Sequence, residues 1–120
     1  MSSKIHDAVV ELRRAPGVKG AMVLTADGLV AAQALDPQFG SDVVAGLTSY
    51  LLMTTNRSLA ESGLPACSRF VLHATHGKAV FVSLDDSYLV VLLDQFADLS
   101  QTQKELQDAE QRIRRASRLV

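Results

Sequence analysis

Tryptophan is absent from the 120-residue sequence, and four phenylalanines and two tyrosines are its only large aromatics. The core therefore has to be built from aliphatic side chains. A single cysteine, Cys67, excludes an intrachain disulfide and fits a reducing compartment. An excess of one charge is missing too: 12 Lys and Arg against 13 Asp and Glu leave a formal charge of -1. Such a balance supplies no basic field to gather nucleic acid by counterion release. No apolar run approaches the ~18 residues of a membrane span. The opening stretch MSSKIHDAVVELRR carries charges at positions 4, 7, 11, 13 and 14, where a signal peptide needs an apolar core. These absences point to a cytoplasmic protein that neither inserts into membranes nor binds nucleic acid. Residues 1–120 suffice for one domain and leave no room for a second.

Motifs for covalent chemistry are also lacking. Gly20 and Gly28 do not match a phosphate-binding loop, which needs a lysine and a following helix, because Gly28 leads into another strand-like run. Cys67, His73 and His76 form the one cluster with metal-ligand chemistry. In a strand, however, Cys67 and His73 lie about 20 Å apart, too far to share an ion. No serine sits in a G-x-S-x-G setting. Asp27, Asp85 and Asp86 occupy turn positions, where aspartate bonds nearby backbone. The sequence therefore predicts no catalytic residue, metal or cofactor, and a protein that is not an enzyme.

What is present is a regular alternation of elements. Ile5, Ala8, Val9 and Leu12 form the apolar stripe of a first helix, which Pro16 and Gly17 end. Two strand-like runs, 18–25 and 29–35, flank Ala26-Asp27-Gly28, a hairpin signature. A helix capped by Asp36 or Ser41 then runs to about Ser62, where Gly63-Leu64-Pro65 stops it. Strand-like runs at 67–75, 78–84 and 88–94 follow, joined by His76-Gly77 and by Asp85-Asp86-Ser87. In the last run both alternating sets, Tyr88/Val90/Leu92 and Leu89/Val91/Leu93, are apolar, so it belongs in the middle of a sheet covered on both faces. The final segment, about 98–118, carries Leu99, Leu106, Ile113 and Val120 at heptad spacing, a narrow apolar seam. Paired hairpins rather than strand-helix alternation make the class α+β: a five-stranded antiparallel sheet between helices, ordered helix-strand-strand-helix-strand-strand-strand-helix.

The second helix carries the functional signal. From Val43 to Asn56 it has no charged residue, although a helix on a monomer's surface keeps a polar face. At 100° per residue, Val44, Leu47, Thr48, Leu51, Leu52, Thr55 and Leu59 form one stripe, assigned to the sheet. Gly46, Tyr50, Met53 and Arg57 fall on another side, where a glycine admits close approach and Tyr and Met offer adaptable contact area. That side is assigned to a partner. The last helix has its acids early and its arginines late, an order that complements the helix dipole.

The stretch GVKGAMVLTADGLVAA at 17–32 resembles the first hairpin of the roadblock (dynein light chain) family, whose members show a Gly-rich entry, an aliphatic strand, a D-G turn and a second small-residue strand. The order of elements over about residues 4–117 is similar as well. The bacterial and archaeal MglB-like branch is the most similar. The resemblance implies a homodimer in which the second helices and the following edge strands meet. It places Gly46, Tyr50, Met53 and Arg57, together with Arg69, Val71 and His73, at that interface. It further implies a non-enzymatic regulator or scaffold for a Ras-like small GTPase, one that stimulates GTP hydrolysis or holds the GTPase in place. Two other readings stay open: a small-molecule sensor of profilin-like or PAS-like fold, and a structural subunit that pairs through the heptad seam of its last helix.

Overall fold

The computed structural model describes residues 2–118; Val120, the last member of the heptad seam, lies outside the described residues. The elements run α1 (Ser2–Arg13), β1 (Val18–Thr25), β2 (Val30–Leu35), α2 (Ser41–Glu61), β3 (Arg69–Ala74), β4 (Gly77–Ser83), β5 (Ser87–Asp94) and α3 (Leu99–Arg118). All five strands join in one antiparallel sheet, ordered β2-β1-β5-β4-β3. The doubly apolar strand β5 stands at its centre, as expected. Its alternate side chains feed two separate cores. Leu89, Val91 and Leu93 join Ala21, Val23, Val80 and Val82 beneath α1 and α3, whereas Val90 joins Met22, Leu24 and Phe81 beneath α2.

The seam of α3 packs on its own domain. Leu106, Ala109, Ile113 and Ala116 are buried, the first three in one cluster with Ala8, Val9 and Leu12 of α1. This arrangement covers the seam with the chain's own α1 and sheet, so the pairing of α3 with a foreign coiled helix is not needed to bury it. Asp98 starts the helix: its Oδ1 accepts hydrogen bonds from the Ser100 backbone N–H at 2.9 Å and hydroxyl at 2.7 Å. Those bonds favour the ionised carboxyl, and its pKa is lowered.

Three local expectations need correction. The N-cap of α2 is Gly40, with no side-chain cap. Asp36 is engaged elsewhere, its side chain accepting from the Gln38 N–H at 3.3 Å and its carbonyl from the Phe39 N–H at 2.9 Å. The β3–β4 turn is Thr75-His76 rather than His76-Gly77. Gly77 is the first residue of β4, where a Cβ would stand 2.9 Å from the Leu93 carbonyl oxygen. Close backbone approach, not turn geometry, calls for that glycine. Finally, α2 buries Val44, Ala45, Thr48 and Leu52, and Leu47 is 51% exposed. The buried stripe is rotated toward the small Ala45, and Leu47 is left on the flank.

The first hairpin is a three-residue loop. The Thr25 carbonyl accepts from Gly28 N–H at 2.9 Å, and Gly28 has φ +88°. A left-handed residue after a type I turn is the geometry that Asp-Gly supplies. The loop rests on α2, because a Cβ on Gly28 would come within 3.0 Å of the Ser49 hydroxyl.

Candidate interaction surface

The outer face of α2 follows from its inner one. With Val44, Ala45, Thr48 and Leu52 turned to the sheet, the 3.6-residue repeat puts Val43, Gly46, Leu47, Tyr50, Met53 and Arg57 outside. Val43 is 73% exposed, Tyr50 64% and Met53 57%. A Cβ added to Gly46 would meet nothing within 4 Å, so the helix is bare there. The Arg57 guanidinium approaches the Met53 sulfur at 3.8 Å and lies along the same face. Several large apolar groups in a row, with no charge between Val43 and Asn56, form a contiguous patch rather than scattered surface hydrophobes. The helix ends cleanly: Gly63 N–H bonds to the Ala60 carbonyl at 3.0 Å and Leu64 N–H to that of Leu59 at 2.8 Å, a Schellman closure with Gly63 at φ +76°.

Strand β3 lies next along the chain and at the edge of the sheet. It lacks the usual guards of an edge, having no proline, no lysine and no bulge in its register with β4. Arg69, Val71 and His73 point to the α3 side of the sheet. Phe70, Leu72 and Ala74 point to the α2 side, where Phe70 stacks at 5.2 Å on Phe81. Arg69 is held by Glu110 of α3 at 2.6 Å, so the strand's one permanent charge is neutralised from within the domain. Gly46, Tyr50, Met53 and Arg57 thus gather on one face. Arg69, Val71 and His73 stand on the opposite side of the sheet and share only its free edge with them.

Between α2 and the β3 end of the sheet runs an apolar groove of about 660 Å³, lined by Phe39, Leu47, Leu72, Leu92 and Phe96. Phe96 is 85% exposed. The sequence assigns Leu47 to the sheet, and it does not single out Leu72 or Phe96. The parity of β3 against β4, which no single run reveals, decides that Leu72 faces the groove. A second cleft, about 520 Å³ between α1 and α3, has a floor of Ala8, Leu12 and Ala109 and a rim of mixed charge. Among the described residues no group of three or more His, Cys, Asp and Glu is arranged to hold a metal ion, and no helix is long and apolar enough to cross a membrane.

The site is thus a five-stranded antiparallel sheet between helices, with a largely apolar exposed helix face beside an edge strand that has no proline, lysine or bulge. The family model of the Roadblock/LC7 domain matches residues 4–93, and the chain belongs to that family. An uncharacterized protein of Methanocaldococcus jannaschii, MJ0714, is 34% identical over 94 residues, covering 78% of this chain and 80% of that protein. Among solved structures, Myxococcus xanthus MglB superposes with a TM-score of 0.89 at 14% identity, over 98% of this chain and 90% of that one. A structure described as MglB with tetrameric arrangement gives 0.81 at 17% identity, over 95% and 88%. At these identities the structural likeness establishes the fold. The family match ends at residue 93, so α3 lies beyond it.

Proposed function

We propose that the chain forms a homodimer through α2 and β3, and that the dimer is a non-enzymatic regulator or scaffold for a Ras-like small GTPase. The observation that carries the dimer is the exposed, largely apolar face of α2, without charge from Val43 to Asn56, beside an unguarded sheet edge. In the dimer Gly46, Tyr50, Met53 and Arg57 are covered by the second copy, and Arg69, Val71 and His73 line the strand seam. Family membership and the MglB-like fold support the GTPase role. Such a partner needs no nucleophile of its own: ordering the switch loops of a GTPase places the hydrolytic water and the charge-stabilising groups.

The test has two stages. Sedimentation at micromolar concentration is expected to return twice the chain mass, and a monomer would remove the dimer. A Ras-like GTPase from the same genome is then assayed for GTP hydrolysis, with and without a saturating amount of this protein, and for co-elution with it. A faster rate supports activation, and co-elution without a rate change supports a scaffold. Absence of both for every such GTPase refutes the role. The apolar groove beside α2 is the one observation that favours a ligand sensor, since its volume falls in the range of small-molecule sites. Strong thermal stabilisation by a single metabolite would favour that reading.

A further inference from the structure

The aspartate of the first hairpin is not used by its own turn. The Thr25 carbonyl accepts from the Gly28 N–H at 2.9 Å, and the Thr25 hydroxyl accepts from the Leu29 N–H at 3.1 Å. Threonine therefore closes the loop, and the backbone bond expected of Asp27 is not made. Other aspartates of the chain are committed: Asp36, Asp94 and Asp98 accept from the N–H groups of Gln38, Phe96 and Ser100, and Asp85 pairs with Arg114. The ion pairs among the described residues do not include Asp27. Asparagine before glycine would suit the turn equally well, so the charge at this position needs another reason.

That reason lies beside the loop. A pocket of about 330 Å³ opens between the hairpin, α2 and β5, with the buried Leu52 in its lining together with Asp27, Ser49, Asn56 and Tyr88. Asp27 is the only charged residue of the lining. Ser49, Asn56 and Tyr88 are half-buried, and the Asn56 side-chain oxygen is already engaged by the Cys67 N–H at 2.8 Å. One carboxylate and two hydroxyls, set with an aromatic ring and an aliphatic side chain, suit a cation carried on an apolar stem. Arginine matches this set better than lysine, because its planar guanidinium offers several donors at once and stacks on aromatic rings. We infer that the pocket receives an arginine side chain of a protein partner, its guanidinium pairing with the Asp27 carboxylate. Met53 lines both this pocket and the exposed outer face of α2, so a chain lying on that face reaches the pocket with one side chain. Arginines seated in pockets of this kind are common anchors of protein interfaces. The pocket takes no residue from β3 or β4, and the first hairpin stands at the opposite edge of the sheet from β3, so the proposed strand seam leaves it open. The inference rests on the regulator or scaffold role proposed above, and it makes the GTPase the bearer of the arginine.

Two measurements test it. Two-dimensional amide NMR spectra are recorded with a capped Gly-Arg-Gly peptide and with its citrulline analogue, which keeps the shape and lacks the charge. The arginine peptide is expected to shift the Asp27, Gly28 and Ser49 resonances saturably. The citrulline peptide should leave them nearly unmoved, as should the arginine peptide on the Asp27→Asn protein. No shift at these residues, or equal shifts with both peptides, overturns the site. The second measurement uses the Ras-like GTPase that co-elutes with this protein. Asp27→Asn is expected to raise the dissociation constant of that complex about tenfold, with the sedimentation mass of the free protein unchanged. An unchanged constant overturns the pocket as a partner site and leaves the GTPase reading standing. A weaker homodimer with unchanged GTPase affinity gives the pocket to the second copy and overturns the inference as well. If the arginine peptide binds and no GTPase does, the GTPase reading fails, and the partner named here fails with it.

Discussion

Replacing Met53 with lysine separates the stability of the domain from that of the dimer. Met53 is 57% exposed on the outer face of α2, and lysine is as good a helix former as methionine. The cost to the isolated domain is repulsion from Arg57 one turn on, about 0.2–0.5 kcal/mol for like charges at that spacing. Thermal unfolding at low concentration, where the chain is monomeric, should therefore barely change. In the proposed dimer the ammonium is desolvated against a second copy of this face, which carries Arg57 but no carboxylate to pair with it. A buried charge without a partner costs about 3–5 kcal/mol. Taking about 3 kcal/mol for the whole dimer, at about 1.4 kcal/mol per decade, the dissociation constant rises by at least about 100-fold. Sedimentation equilibrium or mass photometry over a dilution series reads this, with Met53→Leu as the control that should leave the constant nearly unchanged. A Met53→Lys protein that dimerises as tightly as the parent would refute the assignment of this face.

Gly46→Ala should stabilise the monomer by up to about 1 kcal/mol, since nothing lies within 4 Å of the new Cβ; a dilution series should show weaker association if helices cross there. Gly77→Ala pushes a Cβ to 2.9 Å from the Leu93 carbonyl and should cost about 1–3 kcal/mol in urea denaturation. Ile113, fully buried under α1, should cost about 2–5 kcal/mol when cut to alanine, and a neutral result would mean that α3 is not part of the core. The Asp98 carboxyl has a folded pKa below its unfolded value, so its contribution is present at neutral pH and is lost as pH falls through the lowered pKa. The stability gap between the parent and Asp98→Ala should therefore close on acidification, and a gap that persists in strong acid would contradict the capping role.

The architecture was largely legible because it rests on periodicity. Both alternating sets of β5 are apolar, which has one solution in an antiparallel sheet, and the strand is central. Asp27-Gly28 and Gly63 mark backbone geometries that few other residues supply. The inner face of α2 was harder to read for the same reason that the helix is interesting: with no charge over four turns, hydropathy does not say which arc faces the sheet. Ala45 is buried and Leu47 is not, because shape at the sheet decides and size in isolation does not. Position 77 illustrates a related blindness. A glycine beside a histidine between two strands reads as a turn, and only the distance to the Leu93 carbonyl shows a strand crossing close to its neighbour. That Arg69, Val71 and His73 face α3 while Phe70, Leu72 and Ala74 face α2 depends on the β3–β4 register, a tertiary property that composition does not encode.

The central position of β5 also bears on how the chain reaches its fold. Its neighbour β1 is separated from it by three intervening strands and a helix, Ala21 pairing with Val91. During synthesis the first hairpin emerges with one side of β1 unpaired, and it stays so until the fifth strand leaves the ribosome. Long-range pairing of this kind slows folding and exposes edges in the meantime. The strand that completes the centre of the sheet is the last to arrive, so a chain interrupted just before residue 87 would present β1 and β4 as additional open edges.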